Sequence, residues 1–130
     1  MSASHLLDTA TLVWAVSAPE KLSDAARRIC SAGDAEPAVS AVSLMELIDK
    51  VQKGKIKLDP DPVQWWNCNV RLLGFSVLPL RLRHVEKLWK MPPLPCGSTG
   101  RLLIAQAMAE GIPLVSSGTA IRQYALDVVW

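Results

Sequence analysis

The sequence predicts an α/β fold: a parallel sheet covered by helices on both faces, in one domain spanning residues 1–130. Three observations predict it. Short apolar runs of strand length alternate with helical patterns from one end of the chain to the other. Gly, Asp-Pro and Ser punctuate the junctions. No internal repeat, linker or low-complexity tract interrupts the 130 residues, a length that suits one domain with a substantial core.

The elements follow in order. HLLD (5–8) is a short apolar strand that stops at an acid, and ATLVWAV (10–16) reads as a short helix. SDAARRICSA (23–32) is a helix with Ser23 as its N-cap and Gly33 as its stop. PAVSAV (37–42) is a strand, and SLMELIDKVQK (43–53) is a helix that ends at Gly54. Asp61-Pro62 opens the next helix, with Asp as the cap and Pro in the first turn. Its apolar stripe is Val63, Trp66, Val70 and Leu73, and Gly74 ends it. FSVLPL (75–80) is a strand that Pro79 confines to a strand end or a sheet edge. Leu82, Val85, Leu88 and Trp89 give residues 82–90 a helical apolar face. A helix over 98–110, a strand at PLVSS (113–117) and a final apolar DVVW complete the chain.

Composition narrows the function classes. Half the residues are hydrophobic and a fifth are charged. No uncharged run reaches membrane-spanning length or has the form of a signal peptide, so a cytoplasmic protein without membrane association is expected. Three cysteines with no C-x-x-C pair suggest neither zinc nor a disulfide framework. The net charge of +2 does not by itself indicate nucleic acid. The basic residues cluster, however. Lys50, Lys53, Lys55 and Lys57 lie together, and a second group runs from Arg71 to Arg101 around a single acid, Glu86. Two readings fit: a surface that tracks phosphates, or solvated helix faces.

In a parallel α/β sheet, sites lie beyond the carboxyl ends of the strands. That rule selects Asp8 with Thr9, Ser43 with Glu46, and Ser116 with Gly118. Asp8 can hold a hard cation or move a proton, or it can cap the helix that follows. Ser43 and Glu46 have capping-box spacing; alternatively, Glu46 projects toward Asp8. Asp49 stands four residues before Lys53, which favours a surface ion pair over a supplementary metal ligand. Helical angles put Gln106 and Glu110 on the polar face of helix 98–110 and Arg101 opposite them. Arg101 is therefore expected to reach the site and meet Asp8, Glu46 or a phosphate. His5 and His84 lack catalytic partners at useful spacing and read as structural. Of the adjacent Trp65 and Trp66, one is expected to be exposed, as at a dimer surface. The mouth of helix 98–110, Gly97-Ser98-Thr99-Gly100, is small and uncharged. It is too short for a phosphate loop and lacks that motif's lysine.

The order of these pieces resembles the PIN domain, in particular the VapC-type toxins of toxin–antitoxin pairs. LLDTATLVWAV is similar to the family's opening strand with its first acid, and VSAVSLMELIDKVQKGKIKL to the second strand and glutamate helix. LGFSVLPL and RLLIAQAMAEGIPLVSS are similar to the later strands and helices. The resemblance implies a three-layer α/β/α fold with about five parallel strands. It also implies an Mg²⁺- or Mn²⁺-dependent endoribonuclease with carboxylate ligands, an RNA substrate, an antitoxin peptide as partner and a homodimer. Matched residue by residue, Asp8 and Glu46 are the catalytic and metal-holding acids; Asp49 is a supplementary metal candidate outside that match. Arg101, Thr9, Ser116, Lys50, Lys53 and Lys55 are candidates to contact RNA.

The chain departs from the family pattern at three acids. The family has D-P-F-D-R where this chain has Gly97-Ser98-Thr99-Gly100-Arg101, and T-A-D where it has Ser116-Ser117-Gly118. Crowded carboxylates repel by about 1–4 kcal/mol per pair, a strain that a divalent ion relieves. With two acids left, metal affinity and cleavage are expected to be weak or absent. Three outcomes compete: an inactive or weak nuclease that still binds RNA; a working enzyme completed by Asp49, Mn²⁺ or a second subunit; and a non-enzymatic dimer that binds an antitoxin.

Overall fold

The computed structural model describes residues 3–31, 33–93, 97–118, 121, 124 and 126–130. Cys96, Pro95 and the expected end of the second helix at Ala32 lie outside them. Five parallel strands run in the order β3-β2-β1-β4-β5: β1 (His5–Leu7), β2 (Pro37–Ser40), β3 (Ser76–Leu78), β4 (Leu114–Val115) and β5 (Val128–Val129). The α-helices are α1 (Thr9–Ser17), α2 (Asp24–Ser31), α3 (Ala41–Gln52), α4 (Pro62–Leu73), α5 (Leu82–Lys87) and α6 (Gly97–Glu110), with a 3₁₀ turn at Leu88–Lys90 after α5. This is the α/β/α sandwich with about five parallel strands that the resemblance implied.

Neighbouring strand residues point to opposite faces, and each pair divides between two cores. Leu6, Ala38 and Leu114 pack under Leu103, Ile104 and Ala107 of α6. Leu7, Val39 and Val115 pack on the other face against Leu12 of α1, Leu47 of α3, and Trp66 and Val70 of α4. Burial on both faces is why the strands read as continuous apolar runs. From β1 the chain winds to β2 and β3 on one side, then crosses to β4 on the other. The strand order therefore reverses beside β1, and a crevice opens at its carboxyl end.

Several boundaries differ from expectation. β2 ends at Ser40, two residues early, because the Ser40 hydroxyl accepts the Val42 N–H (2.9 Å) and starts α3 there. Ser43 is thus inside the helix rather than its cap, and no Ser43–Glu46 capping box forms. Ser23 and Asp61 cap α2 and α4 as expected, accepting N–H groups from Ala26 and Gln64. Gly74 ends α4 with a left-handed φ of 74°. β3 occupies the sheet edge, as Pro79 required.

Helix α5 is turned relative to its apolar stripe. Leu82, Val85 and Trp89 face outward, with Trp89 89% exposed, and His84 is fully buried instead. A polar chain explains this orientation. Ser40 Oγ donates to Gln106 Oε1, and Gln106 Nε2 reaches the Pro79 carbonyl and His84 Nδ1, both at 3.4 Å. The Arg81 N–H also donates to His84 Nδ1 (3.0 Å), so the His84 proton lies on Nε2 and is donated to Glu110 Oε2 (2.8 Å). Gln106, expected on the solvent face of α6, is completely buried in this chain. The Ser40 hydroxyl, the Pro79 carbonyl and the His84 imidazole supply the partners that make its burial tolerable.

Candidate functional site

The first strand delivers Asp8 to the crevice at its end. Asp8 caps α1: its Oδ1 accepts from the Thr11 N–H (2.8 Å) and from the Thr11 hydroxyl (2.5 Å). The Asp8 N–H donates to the Val115 carbonyl of β4 (3.1 Å), so Asp8 joins α1 through its side chain and β4 through its backbone. Among the described residues Asp8 Oδ2 carries no hydrogen bond. Asp8 is therefore both a helix cap and a half-free carboxylate.

Helix α3 delivers Glu46. Because α3 starts at Ser40, Glu46 sits in its second turn and points across to α1. Thr9 Oγ1 faces the buried Ser43 hydroxyl (2.9 Å) and Glu46 Oε1 (3.3 Å). Glu46 Oε2 pairs with Lys50 Nζ at 3.2 Å, one turn on. The crevice these groups enclose has a volume of about 260 Å³, and Thr99, Gly100 and Leu103 from the mouth of α6 complete its wall. The structure thus brings together Asp8, Thr9, Glu46, Lys50 and the glycine-bearing mouth of α6.

Other candidates lie elsewhere. Arg101 does not meet Asp8 or Glu46. Its guanidinium donates to the Leu88 and Met91 carbonyls at 3.3 and 3.2 Å. Both carbonyls lie at the end of the 3₁₀ turn, where the Leu88 oxygen already accepts the Met91 N–H (3.2 Å), and their second lone pairs hold the cation on the α5 side. Ser116 is buried at the end of β4, where its hydroxyl accepts the Gly118 N–H (3.1 Å), and it does not line the crevice. Asp49 and Lys53 form an exposed pair at 3.0 Å, the surface arrangement that their spacing favoured. Lys55 is exposed in the turn after α3.

The donors of the crevice are two carboxylates and the hydroxyls of Thr9 and Thr99, and the Lys50 ammonium already neutralises Glu46. Among the described residues no group of three or more His, Cys, Asp and Glu is placed to hold a metal ion. The backbone also limits which acids the fold could accept. Gly97 has φ +73°, a conformation that a side chain there would strain. Gly118 has ordinary backbone, and a Cβ there would touch the flexible Ile121 Cδ1 at 3.2 Å.

Sequence reasoning did not find a second depression, which continues from the crevice. It is a groove of about 470 Å³ between α1, α3, α4 and the 56–59 segment, with Trp14, Trp65, Ile56 and Leu58 as its walls. Lys50 lines both the crevice and the groove. The adjacent tryptophans Trp65 and Trp66 were the available signal, since Trp66 is buried and Trp65 is only partly covered.

A crevice at the switch point of a five-stranded parallel sheet, entered by an acid from the first strand and a glutamate from the helix after the second, is the arrangement of the PIN domain. The PIN domain family model matches residues 5–126, and the chain belongs to that family. Two solved structures share the fold closely. One is VapBC2 from Rickettsia felis bound to a DNA fragment from their promoter, at 17% identity and a TM-score of 0.68, covering 96% of each chain. The other is a toxin–antitoxin complex from Klebsiella pneumoniae, at 17% identity and a TM-score of 0.65, covering 98% of this chain and 97% of that one. No curated protein matches the sequence. Among the described residues no helix is long and apolar enough to cross a membrane.

Proposed function

We propose that this chain is a VapC-like PIN protein of toxin–antitoxin type whose metal-dependent ribonuclease chemistry is weak or lost, and which keeps an RNA-binding crevice. One observation carries the reading: Asp8 and Glu46 meet where the mouth of α6 offers Thr99 and Gly100 instead of acids, and Glu46 is paired with Lys50. Mg²⁺ and Mn²⁺ favour hard oxygen ligands and are held by clustered carboxylates. This set is too poor in charge to grip such an ion, so any residual binding falls on Asp8 and Glu46 and is weak. Phosphate contacts come instead from Lys50 and from Lys53 and Lys55 beyond it.

Calorimetric titration with Mn²⁺ tests this proposal. Millimolar or weaker binding is expected, and micromolar binding abolished by Asp8→Asn would overturn it. Restoring charge with Gly100→Asp plus Gly118→Asp should raise Mn²⁺ affinity and produce Mn²⁺-dependent RNA cleavage, because neither glycine has a left-handed backbone.

A second reading, that the chain works by binding protein, rests on the outward stripe of α5. Leu82 and Trp89 are 74% and 89% exposed, and Val77 and Leu80 near the β3 edge are also open. Such apolar exposure marks an interface. We assign it to a homodimer, with an antitoxin segment crossing the crevice as the remaining partner. Leu82→Glu with Trp89→Ala should convert the dimer to a monomer in analytical ultracentrifugation; a wild-type chain that is already monomeric would reject the assignment.

A further inference from the structure

We infer that the groove beside the crevice is a nucleobase subsite for single-stranded RNA, with a preference for guanine. The inference rests on reading the crevice as RNA-facing and extends that reading to the neighbouring nucleotide. Its volume of about 470 Å³ falls within the ~300–1,000 Å³ typical of small-molecule sites. The walls are apolar and aromatic, and the rim carries Lys50 and Lys57. Apolar walls under a cationic rim complement a flat base attached to a polyanionic backbone.

The two indoles are not equivalent. Trp14 is already engaged by Trp130, at 5.8 Å between ring centroids, and by Lys21 Nζ at 6.0 Å. Trp65 has no ring or cation partner among the described residues, so it is the platform on which a base stacks. Lys50 stands where groove and crevice meet, so a base on Trp65 places its phosphate near Lys50 and Glu46. Asp59 is exposed on the groove wall and has no partner among the described residues. A carboxylate accepts two parallel N–H donors, and guanine alone among the four RNA bases presents N1–H and N2–H side by side on its pairing edge. No metal is needed for any of these contacts.

Nuclear magnetic resonance of the indole N–H groups tests the subsite, in EDTA and with GMP, AMP, CMP and UMP as probes. A Trp65→Leu variant assigns the Trp65 signal, and circular dichroism checks that its fold is retained. GMP should shift the Trp65 signal saturably and bind about tenfold more tightly than the other three. Asp59→Asn should erase that preference, and Trp65→Leu should weaken all four. Lys50→Met should weaken GMP but leave guanosine unchanged. Equal binding of the four nucleotides overturns the role given to Asp59. The subsite itself is overturned if no nucleotide shifts Trp65 at millimolar concentration, or if its indole responds only when a protein partner is bound. The metal titration above decides the other reading, and EDTA keeps the two outcomes separate.

Discussion

Replacing Lys50 with methionine should tighten Mn²⁺ binding. The substitution keeps most of the aliphatic stem and removes the ammonium that sits 3.2 Å from Glu46 Oε2. Two unit charges 4 Å apart interact by ~1 kcal/mol in water and ~4 kcal/mol at an effective dielectric near 20. The Lys50 side chain is 42% exposed, which places it toward the watery end of that range. A divalent ion doubles the repulsion, so Lys50 disfavours the ion by ~2 kcal/mol. Its loss is expected to lower the Mn²⁺ Kd about tenfold or more, since 1.4 kcal/mol is one decade. The stability cost is small, because exposed pairs four apart on a helix contribute ~0.3–0.5 kcal/mol. Isothermal titration with MnCl₂ measures the gain, and single-stranded RNA binding in EDTA should weaken in the same variant. Unchanged or poorer Mn²⁺ affinity in Lys50→Met would refute the idea that this lysine occupies the electrostatic place of a cation.

Three further outcomes follow from the geometry. Gly97→Asp, unlike the changes at Gly100 and Gly118, should lower stability by about 1–2 kcal/mol in urea unfolding, because φ is +73° there. Gln106→Leu removes the acceptor of the buried Ser40 hydroxyl and should cost about 1–3 kcal/mol in the same assay. Hydrogen bonding from His84, helped by Arg83 and opposed by burial, holds the Glu110 carboxyl below its usual range. Its stabilising contribution is therefore complete above the ordinary carboxylate range and is lost as pH falls through the lowered value. Thermal melts from neutral to strongly acid pH should show that loss, and Glu110→Gln should reduce it.

The sheet was legible because its signals are local. The apolar runs at 5–8, 37–42 and 113–117, and the caps at Ser23, Asp61 and Gly74, need no knowledge of distant residues. The errors arise where distant partners decide. Leu82, Val85 and Trp89 have helical spacing, but spacing does not say whether the face they form turns in or out. That choice falls to Gln106 and Glu110, more than twenty residues away, which draw His84 inward. Arg101 was expected to reach Asp8, Glu46 or a phosphate, but two carbonyls after α5 hold its guanidinium instead. Asp8 and Glu46 were legible together because each follows a strand, and adjacent parallel strands open onto one end of the sheet. The Trp65 groove involves four separate segments, and no single stretch of sequence encodes it.

Asp8 caps the start of α1 with one carboxylate oxygen and joins β4 through its own N–H, whatever else its other oxygen does. An aspartate with that capping duty would persist after every cutting role had vanished, since losing it leaves the first N–H groups of the helix uncapped. Its presence is therefore poor testimony that a PIN protein still cleaves. The better witness is the mouth of α6, whose Thr99 and Gly100 line the crevice without a charge.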